Sequence, residues 1–296
     1  MSTETQSAHA NVLARFGRTC LVERADGSRA EAKLLRKAGQ PVCGDRVSID
    51  EAIDTPVIIA IEARDNEFPR ADRQGRRQII AANVDRVIVV IAPAPAPTRD
   101  LVNRYLVACE SEGIDAAVCL NKTDRIEADD SASFDALEAR YASLGYRFIR
   151  TCAKREGGID PLRDLIAEGT HILVGQSGVG KSSLIDELLP DRTLATQDLS
   201  KSTGKGRHTT TRTTLYDAPG GGRIMDSPGV WEYGIWSMTP HEIAAGFREF
   251  RELIQDCRFA NCAHLSEPGC AIKDAVECGT VDPERYASYV RIVQAG

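Results

Sequence analysis

The run Gly175-Gln176-Ser177-Gly178-Val179-Gly180-Lys181-Ser182 has the spacing Gly-x-x-x-x-Gly-Lys-Ser. Glycines let backbone N–H groups close around phosphate oxygens, the lysine adds a cation, and the hydroxyl can hold Mg²⁺. Lys181 is expected on the β and γ phosphates and Ser182 on the metal, with Ser183 beside it at the start of the helix. A second run, Asn121-Lys122-Thr123-Asp124, lies upstream. The Asp124 carboxylate can accept from N1–H and the 2-amino group of guanine. Adenine offers neither donor and would leave the carboxylate unpaired, so such a site rejects it. Asn121 is expected to brace the loop and the stem of Lys122 to cover the base. The base-reading run therefore comes before the phosphate-reading run, the reverse of the order in an ordinary small GTPase.

Other stretches add pieces of a nucleotide site. Thr151-Cys152-Ala153-Lys154 is similar to the Ser-Ala-Lys segment that frames guanine, which adds Cys152 and Ala153 to the candidate set. Asp226-Ser227-Pro228-Gly229 has the form Asp-x-x-Gly of a switch. Asp226 would hold Mg²⁺ through water, and the Gly229 N–H would sense the γ phosphate. Residues 197–214 are polar and lack apolar periodicity, as expected of a first switch. One of Thr209, Thr210 and Thr211 would bind Mg²⁺, and Thr210 is the choice. Many GTPases place a glutamine just after Asp-x-x-Gly to orient the attacking water. Here Val230 stands there and cannot do so, which leaves His208 as the nearest candidate. Slow intrinsic hydrolysis is expected, with a partner completing the site. Such help is worth about 10³–10⁵ in rate, or roughly 4–7 kcal/mol.

A separate chemistry is written in Cys257-x4-Cys262-x-His264-x5-Cys270. Three thiols and one imidazole make a closed tetrahedral zinc set, structural because no position stays open. One zinc per chain is expected. Little apolar chain is apparent around it, so the metal should stabilise this part of the fold directly. The five other cysteines before residue 200, Cys20, Cys43, Cys109, Cys119 and Cys152, are read as small buried hydrophobes in a reducing compartment.

These residues need elements to position them. Between residues 16 and 70, short apolar stretches (19–22, 32–35, 46–49, 57–61) alternate with turn signals such as Asp26-Gly27, which suggests a small β-barrel. From residue 84 the texture changes. Val84-Asp85-Arg86-Val87-Ile88-Val89-Val90-Ile91 reads as a strand buried on both faces. Strand patterns at 116–120, 146–150, 171–174 and 223–226 alternate with helical ones at 99–112, 135–144, 160–168 and 181–189, which points to a mostly parallel sheet with helices on both faces. After Pro240 the pattern is helical, then cysteine-rich. The expected division is a flexible tail (1–10), a barrel (11–72), a nucleotide domain (73–238) and a zinc-binding helical domain (239–296).

Composition sets outer bounds. The 296 residues are 42% hydrophobic and 27% charged, with a net charge of −6, as in folded globular proteins. The first ten residues are polar and no apolar run approaches the roughly 20 residues of a membrane helix. A cytoplasmic protein without secretory signal or membrane partner, and a monomer, is therefore expected. Arg64, Arg70, Arg73, Arg76 and Arg77 form one basic cluster, and Lys201, Lys205, Arg207 and Arg212 another. Either could meet RNA phosphates or be solvated surface.

Taken together, the motifs closely resemble the circularly permuted, ribosome small-subunit-dependent GTPases of bacteria. The likeness runs from about residue 15 to the end. Besides the runs above it includes Gly44-Asp45-Arg46-Val47, Ala81-Ala82-Asn83-Val84-Asp85, Gly206-Arg207-His208-Thr209-Thr210-Thr211 and Glu267-Pro268-Gly269-Cys270. The resemblance implies an oligonucleotide-binding barrel, a permuted P-loop GTPase core using GTP/GDP and Mg²⁺, and a C-terminal zinc domain. It further implies a late role in maturing the small ribosomal subunit, contact with its rRNA, hydrolysis stimulated by that subunit, and help from His208. A guanine-nucleotide-regulated RNA-binding module, with hydrolysis incidental, is the alternative of a different class. An ATPase is disfavoured by Asp124.

Overall fold

The computed structural model describes residues 7–52, 55–98, 100–190, 213–227 and 234–295. Five strands, β1 (Ser7–Phe16), β2 (Thr19–Arg24), β3 (Arg29–Leu34), β4 (Arg46–Asp50) and β5 (Val57–Ile61), form a barrel. Their order is β1-β2-β3-β5-β4, and β4 pairs back onto β1 to close it. Alternate residues point inward, so Val12, Cys20, Val22, Ala32, Val47, Ile49 and Ile58 fill the interior. This is the five-stranded oligonucleotide-binding type of barrel. One expectation is corrected. Residues 7–10 are not a tail but the first part of β1, where Ser7–Asp50 through Ala10–Val47 are register partners. Main-chain pairing with β4 holds a stretch whose side chains give little strand signal.

Strands β6 (Glu67–Ala71) and β7 (Arg77–Ala82) form a separate hairpin. The expected boundary at 72/73 cuts through its turn. Phe68 and Ala81 are buried in one core with residues of the nucleotide domain such as Val87 and Tyr105, so the hairpin packs with that domain.

The nucleotide domain continues as β8 (Arg86–Ile91), α1 (Leu101–Glu112), β9 (Asp115–Leu120), α2 (Ser131–Ser143), β10 (Arg147–Arg150), α3 (Asp160–Leu165), β11 (Thr170–Val174), α4 (Lys181–Leu188), β12 (Thr214–Asp217) and β13 (Arg223–Asp226). The sheet order is β10-β9-β8-β11-β13-β12. The first five are parallel, and β12 runs antiparallel to β13. The continuous apolar run of β8 is explained by its position. Val87, Val89 and Ile91 pack with Tyr105 and Leu106 of α1 on one face. Ile88 and Val90 pack with Leu162, Leu184 and Ile185 on the other. At its far edge β12 meets β1 through Ala14 and Thr214, which joins barrel and nucleotide domain in one sheet.

The C-terminal region holds α5 (Pro240–Ala245), α6 (Ala271–Glu277) and α7 (Pro283–Ala295). Thr239 caps α5 through a reciprocal bond with Glu242. Contrary to expectation, this region has an apolar core of its own. Phe247 and Phe250 stack with centroids 4.9 Å apart, and Tyr289, Ile272 and Ile292 complete the cluster with Val107 of α1. Widely separated positions supply it, so local sequence did not reveal it. Among the described residues no helix is long and apolar enough to cross a membrane.

Candidate functional site

The Gly175–Ser182 loop leaves the end of β11, and Asn121 comes directly after β9. Both lie at the carboxyl edge of the parallel strands, where open α/β sheets bind ligands. Asp226 ends β13, the neighbour of β11. Motifs more than 50 residues apart in sequence thereby meet: Asn121 Nδ2 donates to the Val179 carbonyl at 2.9 Å.

Two glycines are dictated by close approach. A Cβ on Gly175 would lie 2.2 Å from the Val90 carbonyl, and its φ is 133°. A Cβ on Gly180, at φ 97°, would lie 2.5 Å from Asn121 Nδ2. The loop is thus shaped against the neighbouring strand and against the guanine motif at once. Its amides enter the positive end of α4. Ser177, Gly178, Ser182 and Ser183 are exposed there, while Val179 is buried as the anchor of the loop.

Lys181 Nζ donates to the carbonyls of Gly175 at 2.6 Å and Gln176 at 2.9 Å. Burial lowers its pKa from the ordinary lysine value, opposed by the charge of Asp226. Lys122, at φ 59°, sends Nζ to the Gly178 carbonyl and to Ala94 O. Its pKa is also lowered, by burial first and then by Arg125 and Lys154.

The base-reading end is polar and open. Asn121 is buried, and its Oδ1 accepts from Thr151 Oγ1 at 3.1 Å. Asp124 is exposed, and the Cys152 thiol donates to its Oδ1 at 3.2 Å. That bond is the main reason its pKa lies below the usual carboxylate value. Cys152 is buried and Ala153 half-buried beside it. Cys20, Cys43, Cys109 and Cys119 are also buried thiols. His208, Thr210, Gly229 and Val230 lie outside the described residues, as do Lys201, Lys205, Arg207 and Arg212.

The basic cluster after the barrel is largely engaged. Arg64 pairs with Asp45 and Glu67, Arg77 with Glu67 and Glu112, and Arg76 with Asp72. Arg73 is exposed at the hairpin turn.

Cys257, Cys262, His264 and Cys270 converge, with their ligand atoms all within 4.8 Å of one another. His264 Nδ1 lies 3.5 Å from both Cys257 Sγ and Cys270 Sγ. A tetrahedron with Zn–S of about 2.3 Å and Zn–N of about 2.0–2.1 Å has edges of about 3.5–3.8 Å, so the donor set fits zinc in chemistry and the two His–Cys separations match such an edge. Burial lowers the His264 pKa, which keeps the imidazole neutral as a ligand must be. Glu267, outside the four, accepts from the amides of Ala263, Leu265 and Ser266 at 2.9, 2.9 and 3.1 Å. Those amides hold its pKa down to about 2 and the carboxylate folds the loop around the cluster.

Sequence reasoning missed Thr98, just ahead of α1, as part of the site. Thr98 donates to Gln176 Oε1 from both its N–H and its hydroxyl, each at 2.9 Å. A threonine ahead of a helical pattern signals a helix start, but nothing local signals its long-range partner.

Chain order separates this arrangement from an ordinary small GTPase. The base-reading strand β9 is threaded before the phosphate-loop strand β11, yet the two ends meet as they would in the unrotated order. This is a circularly permuted P-loop GTPase, an enzyme that hydrolyses GTP. A family model described as RsgA GTPase matches residues 61–236, and the chain belongs to that family. It is 44% identical over 290 residues to a Marinobacter nauticus protein named small ribosomal subunit biogenesis GTPase RsgA, covering 96% of this chain and 83% of that one. A Haemophilus influenzae protein of the same name is 38% identical over 295 residues, with 98% and 85% covered. Among solved structures, YjeQ from Thermotoga maritima superposes with TM-score 0.79 at 29% identity, covering 98% of both chains. YloQ, titled a circularly permuted GTPase, gives 0.74 at 26% identity over 100% of this chain and 97% of that one.

Proposed function

We propose that this GTPase acts on the small ribosomal subunit in its late maturation, binding subunit rRNA and hydrolysing GTP to GDP and phosphate under stimulation by the subunit. The observation that carries the reading is the junction of guanine motif and phosphate loop at Asn121 and Val179, together with relatives named for small-subunit biogenesis. The amides of residues 175–183, including Ser183, cradle the phosphates. Lys181 exchanges its carbonyl partners for phosphate oxygens. Ser182 and Thr210 would hold Mg²⁺, with Asp226 behind water, and a bound ion would supply charge neutralisation for the transferring group. Asp124, Asn121, Lys122, Cys152 and Ala153 frame guanine. Gly229 reports the γ phosphate, and His208 orients the attacking water where Val230 cannot. Cys257, Cys262, His264 and Cys270 hold one structural zinc, supported by the convergence of their donor atoms. The protein works in the cytoplasm as a monomer.

The test is GTP turnover with and without purified small ribosomal subunits at constant salt. Stimulation of at least about 10³-fold is expected, within the span of partner-completed sites. Turnover that subunits do not change would replace this reading with a nucleotide-occupancy switch on RNA.

A further inference from the structure

The phosphate loop is gripped by a segment outside its motifs. Thr98 gives Gln176 Oε1 two hydrogen bonds, and only the oxygen end of an amide can accept both. Thr98 lies just ahead of α1, and its carbonyl accepts the N–H of Leu101, the first residue of that helix, at 3.1 Å. Gln176 is one of the two residues whose carbonyls hold Lys181 Nζ, so the segment that leads into α1 bears on the anchor of that lysine.

The same start of α1 is held from the opposite side. Asp100 has a left-handed backbone, φ 66°, which a non-glycine residue keeps only when its surroundings impose it. Its carboxylate, 6% exposed, accepts Arg291 Nη2 at 2.7 Å and Nε at 2.8 Å. Arg291 belongs to α7. On that helix Ser288 Oγ also accepts from Asn103 Nδ2 of α1 at 2.7 Å.

We propose that Thr98 is a positioning residue for the phosphate loop and that the Asp100–Arg291 pair tethers it to the C-terminal domain, so that the seating of α7 sets the placement of Lys181 and the hold on nucleotide. The proposal rests on the GTPase reading and goes beyond it by making the C-terminal domain part of the nucleotide site.

The experiment uses the full chain and the variants Thr98→Val, Thr98→Ser and Arg291→Gln. The readouts are release of a fluorescent GDP analogue, KM and kcat for GTP, zinc content and melting temperature. Thr98→Val should speed GDP release and raise KM by about three- to tenfold, the worth of one hydrogen bond. Thr98→Ser should restore both. Arg291→Gln should move the same constants in the same direction with zinc content kept, and the double variant should fall short of the product of the single effects. Nucleotide constants at wild-type values in Thr98→Val, or changes that follow only a lower melting temperature and that Thr98→Ser does not reverse, would overturn the positioning role. Constants that move for Thr98→Val and stay fixed for Arg291→Gln would overturn the tether. A wild-type chain that bound no guanine nucleotide would instead remove the GTPase reading underneath.

Discussion

The nucleotide site and the Cys/His cluster are both spelled in short motifs, but they present their donors differently. In the first, the cations already have partners: Lys181 bonds two carbonyls of its own loop, and Lys122 bonds another. Nucleotide must displace those bonds, so each contact yields only the difference between two polar interactions. In the second, three sulfurs and His264 Nδ1 face a common centre. Burial holds the Cys262 thiol up at about 12, and a divalent ion reverses that by stabilising the thiolate. Exchange of bonds suits a ligand that must come and go. Convergence suits an ion that stays.

The largest effect that would sharpen this contrast is at Lys181. Lys181→Ala should lower GTP turnover by about 10²–10³-fold, as loss of one group facing developing charge does, with zinc content unchanged. Turnover within a few-fold of wild type would detach the loop from the chemistry. Next is Asp124→Asn, which should move preference from GTP toward xanthosine triphosphate by at least about 10²-fold, read as a ratio of kcat/KM values. Unaltered selectivity would remove Asp124 from base recognition.

Stripping zinc by chelation, or by Cys262→Ser, should be smaller in reach. The Phe247, Phe250 and Tyr289 cluster keeps the helices, so hydrogen exchange should accelerate over residues 257–270 while α7 stays protected. Loss of protection throughout 239–295 would show that the metal, not the apolar cluster, organises the region. Gly180→Ala forces a Cβ against Asn121 Nδ2 at a positive φ. Strain of about 1–2 kcal/mol should weaken GDP roughly tenfold, with ordinary zinc binding as the control.

The smallest effect concerns the turn between the two regions. Backbone and side-chain bonds from Thr239 lower the Glu242 pKa. A carboxylate depressed in the fold contributes stability above its unfolded value of about 4.3 and loses it as pH falls through the lower folded value. The melting-temperature gap between wild type and Glu242→Gln should therefore be present at pH 7 and close in acid. A gap independent of pH would contradict the cap.

Legibility in the sequence followed the range of the interactions. Val57–Ile61 and Arg223–Asp226 have as strands the limits their residues suggested, because short apolar runs next to turn residues mark a strand directly. Strand β1 was invisible along Ser7–Ala10, since Ser, Ala and His give no apolar alternation and only pairing with β4 fixes them. Strand β12, only Thr214–Asp217, is too short to show a period of its own, and pairing with β13 fixes it. The metal motif carried its own spacing, and its four residues do converge. The nucleotide motifs announced their chemistry, but not the self-bonding of Lys181, and not the grip of Thr98 on the phosphate loop. The aromatic core of the C-terminal domain joins positions as far apart as Phe247 and Tyr289, beyond any local period.

The central claim is a guanine-selective site assembled from segments threaded in rotated order. Isothermal titration of the full chain with GDP and ADP in the presence of Mg²⁺ tests it most directly. The account predicts saturable one-to-one binding of GDP with ADP weaker by at least about 10²-fold. Equal affinity for the two, or heat from neither, would contradict it.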